Sequence, residues 1–409
     1  MGNALFDMRP AAESLPPQPG AQPPADAPAP LRSVHTSNFP ELLRRLGVSL
    51  MVTTYQAGKL VIVREQAGCL NTHFRSFRSP MGMALTPDGR RLALGTAVEI
   101  WEFRDVPAVA ARLEPPQQHD ACYLPRSSHV TGNILIHEMA WGRGEGTGAS
   151  GADELWFINT RFSCLATLDR DSSFVPRWRP PFVKALESSD RCHLNGMAMV
   201  DLRPRYVTAL GVSDEPAGWR ANKARGGVLI DVQSNEIVAR ELSMPHSPRW
   251  HDGRLWLCES GAGTLGVVEL QTGRYEPVVD TPGFTRGLDF AGRYAFVGLS
   301  QVRESAVFSG IPITERLVDP AKRMCGVCVV DLRSGEVVAW LQFMDGVQEV
   351  FAVQVVPRRY PDLINDDVAL MQNSFVVPDA ALSEISHAMH VPSGSPGPAP
   401  QQAGTSVHS

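Results

Sequence analysis

One short pattern recurs six times along this chain, and it limits the possible architectures more than any other feature. Met81-Gly82-Met83-Ala84-Leu85 aligns with His137-Glu138-Met139-Ala140-Trp141 and with Asn195-Gly196-Met197-Ala198-Met199. His246-Ser247-Pro248-Arg249-Trp250, Arg286-Gly287-Leu288-Asp289-Phe290 and Glu349-Val350-Phe351-Ala352-Val353 complete the set. Successive runs begin 40 to 63 residues apart. Each is followed by a Gly- or polar-marked turn and a second apolar or alternating segment, such as Arg91–Gly95, Glu154–Asn159 or Arg254–Glu259. A third segment follows at Val98–Phe103, Cys164–Leu168, Gly227–Val232, Thr264–Leu270 and Gly326–Leu332. Period-two alternation ended by Gly, Asp or Asn reads as strand and turn. Four such strands in a repeat of roughly 40 to 60 residues make a propeller blade.

The sixth run lacks strands after it, but suitable segments stand near the start of the chain, at Ser49–Thr54, Lys59–Arg64 and Cys69–Phe74. The expected fold is therefore all-β: a six-bladed β-propeller whose last blade is shared by the N- and C-terminal segments. Such closure removes sheet edges that would otherwise pair with other chains. Helical periods appear only at the margins, near Phe39–Leu46 and Asp379–Met389. The ends differ in composition, with eight prolines in residues 1–31 and mostly Pro, Gly, Ser, Ala and Gln in residues 391–409. Neither end carries enough apolar surface to offset the entropy of ordering it. The expected organisation is a Pro/Ala-rich segment over 1–36, the propeller over 37–379 and a low-complexity tail over 380–409.

Composition narrows the function. Net charge is −5, with no basic block, so binding driven by the nucleic-acid backbone is not expected. No apolar run is long enough to cross a bilayer, and the first residues lack a secretory pattern. Seven scattered cysteines, an odd number, suit free thiols in the cytoplasm better than a disulfide framework.

Propeller geometry turns the register into a place. The first residue of each innermost strand lies at one mouth of the central channel, and the turn after each second strand returns to it. Met81, His137, Asn195, His246, Arg286 and Glu349 form the first set. Tyr55-Gln56, Thr96, Asn159–Arg161, Ser213-Asp214, Glu259-Ser260 and Ser300-Gln301 form the second, and His193 stands on the loop before Asn195. Three imidazoles, a guanidinium and carboxylates near one axis suit metal binding or acid–base work, although a water-filled channel also favours polar lining. Other features have plainer readings. Cys325-x-x-Cys328 lies in an expected strand, where residues three apart face opposite sides. Gly142–Gly148 lacks the lysine of a phosphate loop and reads as a turn. Cys192 reads as a buried inert thiol. Trp141, Trp156, Trp250 and Trp256 read as blade core, whereas Trp178 and Trp219, in polar loops, are candidate ligand contacts.

Thr53-Thr54-Tyr55-Gln56-Ala57-Gly58-Lys59-Leu60, His193-Leu194-Asn195-Gly196-Met197-Ala198 and Met244-Pro245-His246-Ser247-Pro248-Arg249-Trp250 resemble a bacterial conserved family whose domain has no assigned function, over roughly Ser37 to Pro357. The Asn195 and Arg286 runs are also distantly similar to the inner strands of gluconolactonase and strictosidine-synthase-like propellers. That resemblance implies a mouth metal held by carboxylates and asparagines, a pattern that only Asn195 and Glu349 match here. His137 and His246 in place of oxygen ligands favour zinc, iron or copper over calcium. A looser analogy is the peptide-amidating lyase propeller, which holds zinc through histidines from different blades.

The expectation is thus a metal-assisted hydrolase or lyase acting on a small anionic or peptide substrate. His137, His193 and His246 would be metal ligands, and Arg286, Glu349 and Asn195 catalytic groups. Tyr55, Gln56, Arg161, Asp214, Glu259 and Trp178 would contact substrate. The alternative is a non-catalytic propeller that binds a peptide or protein partner through blade-top loops such as Pro176–Pro181 and Asp214–Arg225. Neither reading involves nucleic acid or membrane.

Overall fold

The computed structural model of this chain describes residues 31–144, 153–301, 310–319, 322–378 and 381. Six antiparallel sheets of four core strands each form its body. Blade one is built from Met83–Leu85, Arg91–Gly95, Glu99–Asp105 and Ala121–Val130, counted outward from the channel. Blade two comprises Ile136–Gly142, Glu154–Asn159, Cys164–Thr167 and Val175–Trp178, and blade three Leu194–Val200, Arg203–Ala209, Gly227–Asp231 and Ile237–Leu242. Blade four comprises Pro245–His251, Arg254–Glu259, Thr264–Glu269 and Arg274–Asp280. Blade five comprises Phe284–Ala291, Tyr294–Ser300, Gly326–Asp331 and Glu336–Phe343. Blade six joins the two ends: its inner strand Ala352–Val356 pairs with Ser49–Thr54, and Lys59–Gln66 and Cys69–Ser76 complete it. The molecule is a six-bladed β-propeller.

Two short strands were not foreseen. Ser33–His35, which the expected boundary at 36 put in the N-terminal segment, pairs with the outer strand of blade five. Pro361–Leu363 adds in parallel to the outer strand of blade one. Both cover outer edges that would otherwise offer unpaired backbone groups. The helix expected at Phe39–Leu46 is present; Gly47 ends it with φ +70°, and Phe39, Leu42 and Leu43 are buried against blades five and six. Apart from Ala381, the helix expected at 379–389 lies outside the described residues, as do residues 145–148 of the Gly-rich segment. Trp141, Trp156 and Trp256 are core residues, but Trp250 is 38% exposed and stacks on Tyr206 instead.

A repeated hydroxyl links the blades. At the end of the second strand, Thr53 Oγ1 donates to Met81 O of the next blade at 2.7 Å, and Thr160 Oγ1 to Leu194 O at 2.6 Å. Ser260 Oγ donates to Thr285 O, and Ser300 Oγ to Val350 O at 3.0 Å. Blade three uses a relay: Thr208 Oγ1 donates to Asn195 Oδ1 at 2.6 Å, and Asn195 Nδ2 donates to Pro245 O at 3.0 Å. These hydroxyls are buried, so losing one leaves a buried carbonyl without its donor, at a cost of about 1–3 kcal/mol. Blades one and two instead approach through bare backbone: a Cβ at Gly82 would stand 1.9 Å from His137 O. Glycine is the residue this contact allows.

The inner strands bend where they reach the mouth. Blades two, three, four and five each carry an extra inner-strand residue there, near His137, Asn195, Ser247 and Arg286. Such bulges re-aim side chains, so neighbours that alternate in a regular strand can serve the same side. The residue two positions before the mouth is left-handed in four successive blades: Ser79, Leu135, His193 and Met244 have φ of +48°, +51°, +51° and +47°. That conformation is strained for side chains other than glycine, and it recurs where the histidines are set.

Candidate functional site at the channel mouth

Contacts between blades that are not neighbours locate the channel axis. The ring of His137 in blade two lies 5.0 Å from that of Phe351 in blade six, although blade one stands between them. Glu138 in blade two receives Arg249 from blade four, past blade three, through two hydrogen bonds of 2.9 Å. This bidentate pair lines the channel beneath the mouth. Asp289, half-buried nearby, accepts from Gln354 Nε2 and Val355 N at 2.7 Å each.

Two of the mouth residues are set by the same device. His137 Nδ1 lies 2.8 Å from Leu135 O and 2.8 Å from Thr160 Oγ1. His246 Nδ1 lies 2.9 Å from Met244 O and 3.0 Å from Ser260 Oγ. In both cases the carbonyl belongs to the left-handed residue two positions back, and the hydroxyl is an interblade link whose hydrogen is already donated onward. A carbonyl can only accept, and the committed hydroxyl has only lone pairs left. Nδ1 must therefore carry the hydrogen in both rings, which leaves the lone pair on Nε2. His137 Nε2 is buried without a hydrogen-bond partner. Burial holds both imidazoles well below the ordinary histidine value, and the Arg286 charge adds to that shift. Both are neutral near pH 7.

Arg286 and Glu349 occupy the next two register positions around the ring. Arg286 Nη1 donates to Glu349 Oε1 at 3.2 Å, and its guanidinium lies 3.6 Å from the centre of the Phe351 ring. Burial lowers the Arg286 pKa while Glu349 opposes the shift; the group stays charged, as arginine does. Tyr55, exposed in the turn above, approaches Phe351 with ring centres 6.2 Å apart. The aromatic ring thus sits between a positive charge and the neutral His137 imidazole at the mouth.

His193 enters from the loop above. Its Nδ1 lies 2.9 Å from Asp190 Oδ2, and Trp219 Nε1 donates to the same oxygen at 3.1 Å. The indole packs on the His193 ring at 4.5 Å, and that ring meets His137 edge to face at 5.0 Å. Asp190 thereby fixes the ring orientation through Nδ1, as an orienting carboxylate does for a proton-transferring histidine. Arg191 ties this loop to Glu187 and, at 2.7 Å, to Asp214 Oδ1.

The sequence-selected residues divide accordingly. His137, His193, His246, Arg286, Glu349 and Tyr55 come together, with Gln56 exposed beside Tyr55. Asn195 lies among them, and its amide is used at both ends by the Thr208–Pro245 relay. Asp214 braces the His193 loop, also accepting from Lys184 N at 3.0 Å. Arg161 Nε donates to Asn133 O. Glu259 accepts from Ser243 N at 2.8 Å, and burial raises its pKa. Trp178 does not reach the mouth: it sits on the outermost strand of blade two and donates to Asn235 Oδ1 at 2.7 Å. Its polar loop setting looked like a ligand contact, but blade curvature carries that strand to the rim.

Among the described residues, no three His, Cys, Asp or Glu side chains stand close enough together to hold a metal ion. His137, His193 and His246, expected as a metal set, do not form such a group. Two of the rings are locked through Nδ1 by the blade framework and the third by Asp190. All seven cysteines are free. Burial pushes Cys192 and Cys328 up to about 12, so neither is a thiolate.

Asp190, Phe351, Thr160, Ser260, Glu138 and Arg249 escaped a functional reading as individual residues, and Trp219, expected as a ligand contact, packs on His193 and donates to Asp190. Thr160 and Ser260 did fall in the turns expected at the mouth, but with no role as anchors of the imidazoles. Glu138 and Arg249 lie at the second and fourth register positions of different blades, and nothing in the sequence pairs them across the blade between.

Fold and site together define a six-bladed propeller with a histidine- and arginine-bearing channel mouth. The chain belongs to the family described as a domain of unknown function, DUF4915, whose model matches residues 37–364. No curated protein matches the chain. Among solved structures, it is similar at 10% identity to a chain of a nidogen/laminin complex, over 76% of this chain and 98% of that one, with a TM-score of 0.47. A protein of unknown function from Bacteroides caccae is also 10% identical, over 76% of this chain and 99% of that one, with a TM-score of 0.44. A catalytically inactive variant of virginiamycin B lyase from Staphylococcus aureus, with quinupristin, is 12% identical, over 60% of this chain and 71% of that one, with a TM-score of 0.35. Likenesses this distant transfer neither substrate nor chemistry. Among the described residues no helix is long and apolar enough to cross a membrane.

Proposed function

We propose that the channel mouth is an acid–base catalytic site, of lyase or hydrolase type, for a small molecule or peptide bearing an anionic group. The observation that carries this reading is the unpartnered Nε2 of His137, held as a proton acceptor in a buried setting beside Arg286. A buried acceptor without a donor costs about 1–3 kcal/mol, and a substrate proton or a water would relieve it.

In this reading His137 Nε2 takes a proton, from a substrate carbon next to a carboxylate or from an attacking water. Arg286 holds the anionic group and stabilises negative charge as it develops on oxygen. His193, oriented by Asp190, returns a proton to the leaving group. His246 is a second base in the same protonation state. Six of the seven cysteines are buried free thiols, which favours a reducing compartment such as the cytoplasm.

The test is a turnover screen of carboxylate-bearing esters, lactones, amides and elimination-prone compounds, run alongside His137→Gln and Arg286→Gln. The expected result is turnover that falls by roughly 10²–10⁴-fold when the base is removed. A folded wild-type protein that turns over none of these classes would favour the binding-module reading, in which loops at the mouth hold a peptide or protein. Turnover indifferent to both substitutions would remove His137 and Arg286 from the chemistry.

A further inference from the structure

The seam that closes the ring, between blades six and one, is crossed on its outer side by a strap. Residues 357–364 lead away from the closing strand Ala352–Val356, and Pro361–Leu363 lies in parallel against Ala121–Tyr123 of blade one. Asp120 begins the attachment, accepting from Arg359 N at 2.6 Å and from Tyr360 N at 2.9 Å. Blade six holds the other side. Arg64 Nη1 donates to Pro361 O at 2.7 Å, and Tyr360 OH donates to Gln66 Oε1 at 3.0 Å. The Arg64 guanidinium also covers the Tyr360 ring at 3.9 Å.

One buried carboxylate stands at the centre of this attachment. Asp362 Oδ1 accepts from Arg75 Nη2 at 3.1 Å and from Leu363 N at 2.7 Å. An imidazole faces each oxygen: His73 Nε2 of blade six is 3.6 Å from Oδ1, and His119 Nε2, from the loop entering blade one, is 3.7 Å from Oδ2. The His119 side chain is 2% exposed and packs edge-on against Tyr360 at 5.1 Å. His73 Nε2 is buried without a hydrogen-bond partner. The charged groups that face these rings among the described residues are Asp362, Arg64, Arg75 and Asp120. Farther out, Asp366 lies against Arg75, Glu65 against Arg359 and Asp105 against Arg358. Burial pushes the neighbouring Cys122 up to about 12, so it stays a thiol.

Two arginines thus already stand around one carboxylate. Burial first, and then the arginine charges, hold both imidazoles below the ordinary histidine value. Asp362 opposes this shift at both rings, and Pro115 O and Asp120 also oppose it at His119, without reversing it. Both rings are neutral at pH 7. A proton on either adds a third positive charge beside Asp362 in a desolvated seam, where excess charge is costly.

We propose that this seam is an acid-released clasp: with neutral His73 and His119 the strap fastens blade six to blade one, and protonation of these rings frees it. In the released state both imidazoles meet water and take up protons near 6.5. The docked strap excludes those protons, so its equilibrium moves toward release as pH falls below that value, by up to about tenfold per pH unit for each histidine. The pairing of Ala352–Val356 with Ser49–Thr54 stays in place, so the ring loses an outer fastening and not a blade.

Hydrogen exchange read by mass spectrometry on the full chain, with rates corrected for their intrinsic pH dependence, tests the proposal. Between pH 7 and pH 5 the peptide covering 359–364 should lose protection at least tenfold, while the inner strands of blades three and four keep theirs. A His73→Gln, His119→Gln variant should keep the strap protected at pH 5. Because that variant changes a buried side chain, NMR titration of both rings in the wild-type chain supplies a second readout: each should take up its proton below 6.5, over the range in which the strap opens. A His137→Gln, His246→Gln variant should release the strap over the same range, which separates the seam from the channel mouth. The proposal is overturned if the strap stays protected at pH 5, or if either ring titrates at or above 6.5. Release that persists in the folded His73, His119 variant, or that disappears in the channel-mouth variant, overturns it equally.

Discussion

Thr160 and Ser260 are small side chains that decide which nitrogen of a mouth imidazole carries hydrogen, because each has already donated its own hydrogen to the next blade. The imidazoles they set are held neutral by burial first and by Arg286 second. That arrangement has a consequence for stability with a definite sign. A histidine whose folded pKa lies below its unfolded value of about 6.5 binds fewer protons folded than unfolded in acid. It costs nothing above that value, and it withdraws stability as pH falls through and below it. The melting temperature of the wild-type protein should therefore drop between pH 7 and pH 5 more steeply than that of a His137→Gln, His246→Gln double variant. Differential scanning calorimetry at four or five pH values reads the two slopes, and parallel slopes would contradict the buried neutral state.

The strands were legible because alternation and turn residues are local signals, and six aligned runs reinforce one another. Even the closure was visible, since the strands missing after Val353 stand at Ser49–Thr54, Lys59–Arg64 and Cys69–Phe74. The devices at strand ends were not. Nothing about Leu135 or Met244 as residue types announces a left-handed conformation. The bulges were equally silent, so Glu138 and Arg249 looked like ordinary alternating positions. Trp178 misled for the opposite reason: its polar surroundings mark an outer strand as well as a ligand loop. At this scale the closing strand makes the sharpest prediction. A chain that stops at Val350 lacks Ala352–Val356 and leaves Ser49–Thr54 with an open inner edge. Size-exclusion chromatography and circular dichroism should find it aggregated or unfolded, and a folded monomer would contradict the closure.

At the scale of the whole molecule, the channel carries a fixed charge pair that ties blades which are not neighbours. The Glu138–Arg249 pair reaches past blade three and joins blades two and four beneath the mouth. Its side chains are 9% and 24% exposed, so an unpaired partner would be only weakly rescued by solvent. Glu138→Gln should destabilise the protein by about 3 kcal/mol in denaturant unfolding. A Glu138→Met, Arg249→Met double variant should recover much of that loss, because it leaves no buried charge behind. Equal loss in single and double variants would show that packing, not charge, is what the pair supplies.

The central claim is that the mouth presents two neutral imidazoles with proton-accepting Nε2 atoms, set by the blade framework. Nitrogen NMR of histidine-labelled protein reports the protonation of each ring nitrogen, with His137→Gln and His246→Gln providing the assignments. At pH 7 both residues should give an Nδ1 that carries hydrogen and an Nε2 that does not, and Ser260→Ala should disturb the His246 pattern alone. An Nε2-protonated or fully charged ring at either position would contradict the account.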